Sequence, residues 1–206
     1  MFDHGYKQGD TFTLYMPDSP EKHVLTLAAA KSGIKISEID SNITDIPQLR
    51  EALKIANPTV IYFFPTKNDV NYAKLLRKAI PEFYHCKTFY FCFDLFLMFL
   101  FLDDDSEGQQ FHSKHFKNLR LFVHCGADLL FGAQSFQNLF LPDPPVSYVE
   151  AALPTLNDEA PFYTRIAKGS NGLQVTGPIA LGKVLELPNF TFLNKLLAKE
   201  YIEFDC

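Results

Sequence analysis

Hydrophobic and polar residues follow a strand-like pattern at three places in the first 65 residues. Residues 11–16 alternate with period two, residues 34–39 form a short stretch that contains three isoleucines, and residues 59–64 form a continuous apolar run. Alternation is typical of a strand, and a continuous run is typical of a strand covered on both faces. The pattern therefore predicts three strands.

Two helices are predicted between these strands by their start and stop signals. The first begins with Ser-Pro-Glu at residues 19–21, because serine caps free N–H groups and proline fits the first turn, and it ends at Gly33. The second begins at residues 45–47 and ends at residues 57–58. The expected buried residues are Val24, Leu25, Leu27 and Ala28 in the first helix and Leu49, Leu53, Ile55 and Ala56 in the second.

Further elements are predicted along the rest of the chain. A helix capped by Asn68 or Asp69 runs to Ile80, a strand covers residues 119–124, a short helix covers residues 135–140, and a last amphipathic helix covers about 190–202. Strands that alternate with helices imply right-handed βαβ units. We expect an α/β fold with a parallel or mixed sheet flanked by helices.

A change in composition after residue 141 divides the chain. Prolines at positions 142, 144, 145 and 154 predict an extended connection. We expect an α/β domain over residues 1–141. Residues 142–206 are expected to form an irregular C-terminal third, with a Gly-containing piece at 163–182 and a final helix.

Composition limits the classes of partner. The net charge of −5 argues against nucleic acid, because phosphate binding needs a basic surface. The 21 phenylalanines must be buried in this chain or against another protein. The four cysteines lack a disulfide spacing and are interpreted as free thiols. The first ten residues resemble neither a signal peptide nor a transit peptide.

One apolar segment raises the question of a membrane. Residues 89–102, which begin at Phe89 and end at Leu102, are apolar except for Asp94. Fourteen residues are fewer than the roughly 20 that a spanning helix needs. We interpret the segment as core or as a protein interface, and an acidic run at residues 103–105 as its hydrated end.

Candidate chemistry is sparse. Residues 177–184 match the start of a G-x-x-x-x-G-K phosphate loop but end in Val184, which has no hydroxyl for Mg²⁺, and we favour a surface turn. The histidines and cysteines lack paired metal-ligand spacing, and His124 and Cys125, as neighbours on a strand, point to opposite faces. The other possible ligands weighed were His85, Cys86, His112 and His115. No catalytic, cofactor-binding or metal-binding residue is assigned.

The segment GYKQGDTFTLYMPDSPEKHVLTLAAAKSGI, residues 5–34, resembles the N-terminal portion of the acyl-CoA synthetase (AMP-binding, adenylate-forming) family. The family has a Gly-Asp strand, an "SPE" helix start and an Ala-rich helix that ends in glycine. The sequences LLRKAIPEF and FKNLRLFVHCGADLLFGAQSFQNLF, at 75–83 and 116–140, are similar to later family segments. The resemblance covers roughly residues 5–140.

The family's catalytic motifs are not found. Its phosphate loop, "TSGTTG-x-PKG", is replaced here by YTRIAKGSNGLQVTG at residues 163–177, and its later motifs are absent from this sequence. No adenylation-site residue can be carried over. If nucleotide were held, Lys168 or Lys183 would be the expected contact.

The resemblance without the catalytic motifs leads to four hypotheses. The first is a non-catalytic accessory subunit, a pseudoenzyme that binds other protein subunits through an apolar, Phe-rich surface including residues 89–102. A mitochondrial inner-membrane complex is one assembly that would suit it, and the cytoplasm is the alternative. The others are a residual acyl-CoA or nucleotide binding module, a ligase active only with a second chain, and a peripheral membrane protein that inserts residues 89–102.

Overall fold

The computed structural model describes residues 6–85, 111, 113–127, 130–139, 159–170 and 172–186. The strands are β1 (Thr11–Tyr15), β2 (Lys35–Ile39), β3 (Val60–Phe63), β4 (Leu121–His124), β5 (Gln134–Ser135), β6 (Pro161–Gly169) and β7 (Gly172–Ala180). The helices are α1 (Pro20–Ser32), α2 (Ile46–Ala56), α3 (Tyr72–Ala79) and α4 (Glu82–His85), with 3-10 helices at Phe136–Leu139 and Leu181–Glu186.

These strands form one sheet in the order β5-β4-β3-β1-β2-β6-β7. Every neighbouring pair is parallel except β6 and β7, which are antiparallel. The prediction of an α/β fold with a parallel or mixed sheet flanked by helices is confirmed, and the sheet is mostly parallel. All four residues of β3 are buried, as the continuous apolar run predicted.

Caps explain where the helices begin and end. The Ser19 hydroxyl accepts a hydrogen bond from the N–H of Lys22, and Gly33 ends α1 in the left-handed conformation at φ 67°. Asp45 accepts from Gln48 at the start of α2, and the left-handed Asn57 ends it. These boundaries agree with the prediction.

The cap predicted for α3 is wrong. Asn68 and Asp69 have φ values of 50° and 62°, within a turn where Lys67 and Val70 exchange backbone hydrogen bonds. Because that turn bends the chain first, the helix begins later, and Asn71 caps it by accepting from Lys74.

Helices cover both faces of the sheet. Glu38 in β2 is in register with Leu14 of β1 and contacts Lys22 of α1. Tyr15, the next residue in β1, therefore points to the opposite face, where its ring meets Tyr72 of α3 edge-on. The βαβ units thus place α1 on one side and α3 on the other.

The buried face predicted for α1 is partly wrong. Val24 and Leu27 are 44% and 40% exposed, whereas Lys22, His23 and Thr26 are buried. The buried residues Lys22, Leu25, Thr26, Ala29 and Ser32 recur at the helical spacing. In α2, Ile55 is likewise 44% exposed, because Leu49, Ala52, Leu53 and Ala56 form the face that packs on the sheet.

Part of the region predicted to be irregular is a β-hairpin. Strands β6 and β7 are nine residues each, and β6 extends the sheet by pairing with β2 from Ile36 to Ile39. The sequence lacks clean alternation there, because both faces of β7 are largely exposed. The predicted helix at 135–140 corresponds to β5 followed by a 3-10 helix.

Some predictions lie outside the described residues. These are the apolar segment 89–102, the proline-rich connection within 140–158 and the final helix at 190–202. The division after residue 141 stays a prediction, although strands from both sides of it share one sheet.

Candidate functional site

The β6–β7 hairpin contains the residues that the resemblance assigns to the phosphate loop. Its arms pair from Arg165 with Thr176 to Lys168 with Leu173 and Gly169 with Gly172. Only residues 170 and 171 lie between the arms. A phosphate-binding loop presents several converging, unpaired N–H groups, and a tightly closed hairpin has room for few of them.

The G-x-x-x-x-G-K match spans the end of β7 and the 3-10 helix that follows it, and not a surface turn, which corrects the prediction. Gly177 lies within β7, and Gly182 and Lys183 lie in the following 3-10 helix. Gly177 has φ 112°, and a Cβ there would lie 2.7 Å from the carbonyl oxygen of Tyr163. The close approach of β6 therefore accounts for this glycine.

A group of charged and polar side chains joins α1, β2 and β6, and we call Lys22, Glu38, Tyr163 and Arg165 the Glu38 cluster. The Tyr163 hydroxyl donates to Glu38 at 2.5 Å, and Lys22 Nζ lies 3.1 Å from the same carboxylate. Arg165 Nε lies 3.8 Å from it. The Lys22 and Glu38 side chains are only 7% and 5% exposed. The cluster therefore holds the two strands and the helix together and offers little access to a substrate.

Asp18 extends this cluster to the surface. Its carboxylate lies 3.4 Å from His23 Nε2 and 3.7 Å from Lys22 Nζ, while its own side chain is 70% exposed. A hydrogen bond from His23 lowers the pKa of Asp18 below its ordinary value of 3.8; partial burial opposes this, and the positive charge of Lys22 assists it.

The sequence prediction missed the Glu38 cluster. One signal was available: Glu38 lies between Ile36 and Ile39 in a short predicted strand, where a buried carboxylate needs a cation. The sequence around Lys22 does not identify it as that cation. The buried face of α1 also contains the polar residue Thr26, so the pattern of apolar residues does not show which face is buried.

The carboxyl ends of the central strands, where open α/β sheets bind ligands, are occupied by protein groups. The Tyr15 hydroxyl donates to the carbonyl of Ile43 at 2.7 Å, and burial raises the pKa of Tyr15. Beside them, Pro65 packs so closely on Gly126 that a Cβ there would lie 2.8 Å from the proline ring. These contacts tie the loops after β2, β3 and β4 over the sheet.

A small polar groove lies at the opposite, amino ends of β1, β3 and β4. Its volume is about 180 Å³, below the roughly 300–1,000 Å³ of ligand pockets. An Asn118–Asn57 side-chain hydrogen bond of 3.0 Å crosses it. The lining residues are Gly9, Asp10, Thr11, Asn57, Thr59, Asn118 and Arg120.

The histidine and cysteine candidates do not form a site in the described part of the chain. His124 is buried opposite Phe63, and burial, followed by the nearby charge of Glu21, raises the pKa of the Cys125 thiol to about 12. A thiol with that pKa is protonated at neutral pH and is a poor nucleophile. No group of three potential metal ligands occurs among the described residues. Cys86 and His112 lie outside them.

No helix within the described ranges has the length and apolar character needed to span a bilayer. Comparison with family models and with curated proteins gives no match. Solved structures, in contrast, match the chain over nearly its whole length.

A protein described as a long-chain-fatty-acid CoA ligase from Rhodopseudomonas palustris aligns with 96% of this chain at 12% identity and a TM-score of 0.59. Acetoacetyl-CoA synthetase from Streptomyces lividans aligns with 95% at 14% identity and a TM-score of 0.57. The chain has the fold of the N-terminal part of adenylate-forming enzymes.

A third similar structure is the luciferase-like enzyme of the nonluminescent mealworm Zophobas morio, with 13% identity, full coverage of this chain and a TM-score of 0.53. The chain spans 37%, 25% and 36% of the ligase, the synthetase and the luciferase-like enzyme respectively. At these identities the similarity establishes the fold alone. It agrees with the resemblance found at residues 5–140.

Proposed function

We propose that this chain is a non-catalytic accessory or structural subunit of a larger protein assembly, with an adenylate-forming enzyme as its ancestor. The structures with a similar fold are enzymes, and we infer that this chain has lost their activity. A mitochondrial respiratory-chain or other inner-membrane complex is one assembly of this kind.

The closed β6–β7 hairpin is the observation that carries the proposal. The positions that would have to hold ATP phosphates are paired with each other down to Gly169 and Gly172. The family's Ser-Gly-Thr-Thr-Gly run is absent there. Phosphates held by backbone N–H groups require those groups to be free, so this geometry favours loss of nucleotide binding.

The second support is the way that the described side chains are used. Among the buried ionisable groups, Glu38 contacts both Lys22 and Tyr163, and the Tyr15 hydroxyl donates to the backbone carbonyl of Ile43. Catalytic groups are normally presented to a cleft where a substrate can reach them. These groups instead join elements of the fold.

Ligand binding tests the proposal directly. The full chain is heated with and without ATP, AMP and a long-chain acyl-CoA, and pyrophosphate release is measured with ATP and a fatty acid. A ligand at 100 times its dissociation constant adds about 2.7 kcal/mol, which would raise Tm by about 5–10 °C. We expect no such rise and no pyrophosphate, with an active acyl-CoA synthetase as the positive control.

The outcomes separate the alternatives. A rise in Tm without turnover would replace the proposal with a residual acyl-CoA or nucleotide binding module. Pyrophosphate release only after addition of a second chain would indicate a split ligase. Either result contradicts a purely structural subunit.

Association is tested in the native source. Cross-linking and mass spectrometry of the endogenous chain should recover a constant set of other proteins, in a particle larger than two copies of this 23.5 kDa chain. Recovery as a free monomer or as a homodimer alone would contradict the accessory role.

A further inference from the structure

Six exposed cationic side chains lie at the end of the sheet where the parallel strands begin. Strands β1 to β4 are parallel, so their first residues lie at one end of the sheet. Helices α1 and α2 also end there, because each is followed within four residues by a strand. We call this surface the basic end of the sheet, and its cations are Lys7, Lys31, Lys35, Lys54, Lys117 and Arg120.

Backbone hydrogen bonds show that the segments bearing these residues are neighbours. The N–H of Lys35 donates to the carbonyl of Asp10 at 2.8 Å. The N–H of Thr59 donates to Thr11 at 2.9 Å, and the N–H of Arg120 donates to Thr59 at 2.9 Å. One series of contacts therefore joins the starts of β2, β1, β3 and β4, and the cations form one surface.

These cations have no ion-pair partner among the described residues. No described carboxylate lies within 4 Å of their charged nitrogens, and Asp10 instead accepts from the backbone N–H of Lys7 at 2.8 Å. Lys31 and Lys54 lie in the last turns of α1 and α2, where a cation stabilises the helix dipole. The other four lie outside helices, so the dipole does not account for them.

The opposite end of the sheet has the reverse charge. Acidic residues follow the carboxyl ends of β1, β2 and β3, namely Asp18, Asp40, Asp45 and Asp69. The five residues of β1 separate the two ends by about 16 Å. Charges more than about 8 Å apart are largely screened at physiological salt. The basic end can therefore attract an anionic surface although the whole chain has a net charge of −5.

We propose that the basic end of the sheet docks electrostatically on a membrane surface that contains anionic lipid headgroups. Clusters of basic residues are attracted to such a surface within about a Debye length. The acidic carboxyl ends of the strands are repelled by it and point away from the bilayer. The charge distribution therefore fixes the orientation of the chain on the membrane.

The composition of the basic end favours a bilayer over a protein partner. Five of the six cations are lysines, and lysine is depleted in protein interfaces, whose centres are apolar. Large hydrophobic side chains exposed in the described ranges lie elsewhere, on the sides of α1 and α2, in the loop before β5 and in β7. A charged headgroup layer requires no apolar centre.

The same surface lacks the usual features of a nucleic-acid site. Single strands stack their bases on exposed aromatic side chains, and the exposed phenylalanine of the described chain, Phe131, lies in the loop before β5. Duplex readers insert a helix or strand into a groove, whereas strand starts and helix ends form this surface. The lipid headgroup layer is thus the anionic partner that fits it.

Sedimentation of the full chain with lipid vesicles tests the proposal. The vesicles consist of phosphatidylcholine alone or of phosphatidylcholine mixed with phosphatidylserine, and binding is measured over a series of salt concentrations. We expect binding to the mixed vesicles only. It should weaken as the salt concentration rises, because salt screens the attraction.

Two triple variants with the same net charge locate the contact. The first replaces three lysines of the basic end: Lys7→Gln, Lys35→Gln and Lys117→Gln. It should lower the partition coefficient about a hundredfold, because each basic residue near an anionic surface contributes roughly a factor of five. The matched control replaces three lysines near the opposite end: Lys67→Gln, Lys74→Gln and Lys168→Gln. It should change the coefficient less than about twofold, and urea unfolding checks that both variants fold.

Chemical labelling tests the orientation without substitutions. Lysine amines of the unaltered chain are acetylated with and without mixed vesicles, and mass spectrometry measures the rate at each site. Vesicles should slow the acetylation of Lys35 and Lys117 and leave that of Lys74 and Lys168 unchanged. Equal protection at both ends would contradict the orientation.

Absence of binding to the mixed vesicles overturns the proposal. So does equal binding to neutral vesicles, or binding that the first triple variant leaves intact, because another surface, such as the apolar segment 89–102, must then make the contact. Binding that appears only after residues 103–105 are changed to asparagine also overturns it, since the acidic run of the chain itself would cover the basic end.

Tighter binding to a DNA duplex or to polyglutamate than to vesicles at the same salt concentration, lost in the first triple variant, would assign the basic end to another class of partner. The three lysines changed in that variant lie outside the β6–β7 hairpin. None of these results therefore bears on nucleotide binding, and the proposed loss of catalysis is tested separately.

Discussion

Lys22 is the buried cation next to the buried carboxylate of Glu38, at 3.1 Å. Lys22→Met should lower the free energy of unfolding by about 3 kcal/mol, because removal of one partner leaves a buried charge without its main counter-ion. Arg165, 3.8 Å away and 41% exposed, compensates only in part. Urea unfolding measures the loss.

Lys31→Met is the control for this prediction, since Lys31 is an exposed lysine near the end of the same helix. It should cost less than about 1 kcal/mol. If both variants lowered the free energy of unfolding by the same amount, the Lys22–Glu38 contact would not account for the loss. In the Lys22→Met, Glu38→Gln double variant, the losses should be far from additive.

Asp18 gives the fold a pH dependence at acid pH. Its pKa is lowered in the folded protein, chiefly by the hydrogen bond from His23. The unfolded chain therefore takes up the proton first, and the stabilisation, complete above the ordinary value of 3.8, is lost as the pH falls below it. Because the carboxylate is 70% exposed, solvent screens the effect and it should be small.

Urea unfolding between about pH 3 and pH 5 checks this sign. Asp18→Asn should flatten the decline in the free energy of unfolding over that interval. Asp69→Asn is a suitable control, because Asp69 is exposed in a left-handed turn that asparagine also adopts. An identical acid decline in both variants would contradict the assignment.

At the scale of the element, the β6–β7 hairpin depends on glycine at one position for two reasons. Gly177 has φ 112°, and a Cβ would lie 2.7 Å from a backbone oxygen of β6. Gly177→Ala should therefore destabilise the protein by more than about 1 kcal/mol. Thermal and urea unfolding both measure this loss.

A substitution at Gly172 distinguishes the cost of backbone strain from the cost of a steric clash. It also has a positive φ, 135°, but a Cβ there meets nothing within 4 Å. Gly172→Ala should thus show the cost of backbone strain alone and should be less damaging than Gly177→Ala. Equal costs would mean that the close approach of β6 at Gly177 is relieved by a small shift.

For the molecule as a whole, the seven-stranded sheet predicts which parts open most easily. Strands β1 and β5 differ most in burial and position in the sheet. β1 lies between β2 and β3 with its last four residues buried, whereas β5 is a two-residue strand at the edge opposite β7. Native-state hydrogen exchange should protect β1 up to the global free energy of unfolding, while β5 opens locally. Equal protection in both strands would contradict this order.

Most of the N-terminal half was predictable because its signals are local. Each helix boundary depends on contacts within four residues. Ser19 and Asp45 accept hydrogen bonds from free N–H groups at the starts of α1 and α2, and Gly33 and Asn57 end these helices, as predicted. The prediction failed at Asn68 and Asp69, where several possible caps precede α3 and a tight turn uses the first two. It also failed where the alternation was weak, in β7.

The sequence alone was enough for the α/β class, the limits of α1 and α2 and the covered strand β3, since each depends on backbone hydrogen bonding and solvent contact within a short stretch. Three other features needed the folded chain: the burial of Lys22 in place of Val24, the Glu38–Tyr163 bond across 125 positions, and the addition of the hairpin to the edge of β2. Each of them depends on which distant residues become neighbours. A carboxylate buried in a strand needs a cation within reach, and Lys22 reaches Glu38 only because its own face of α1 packs on the sheet.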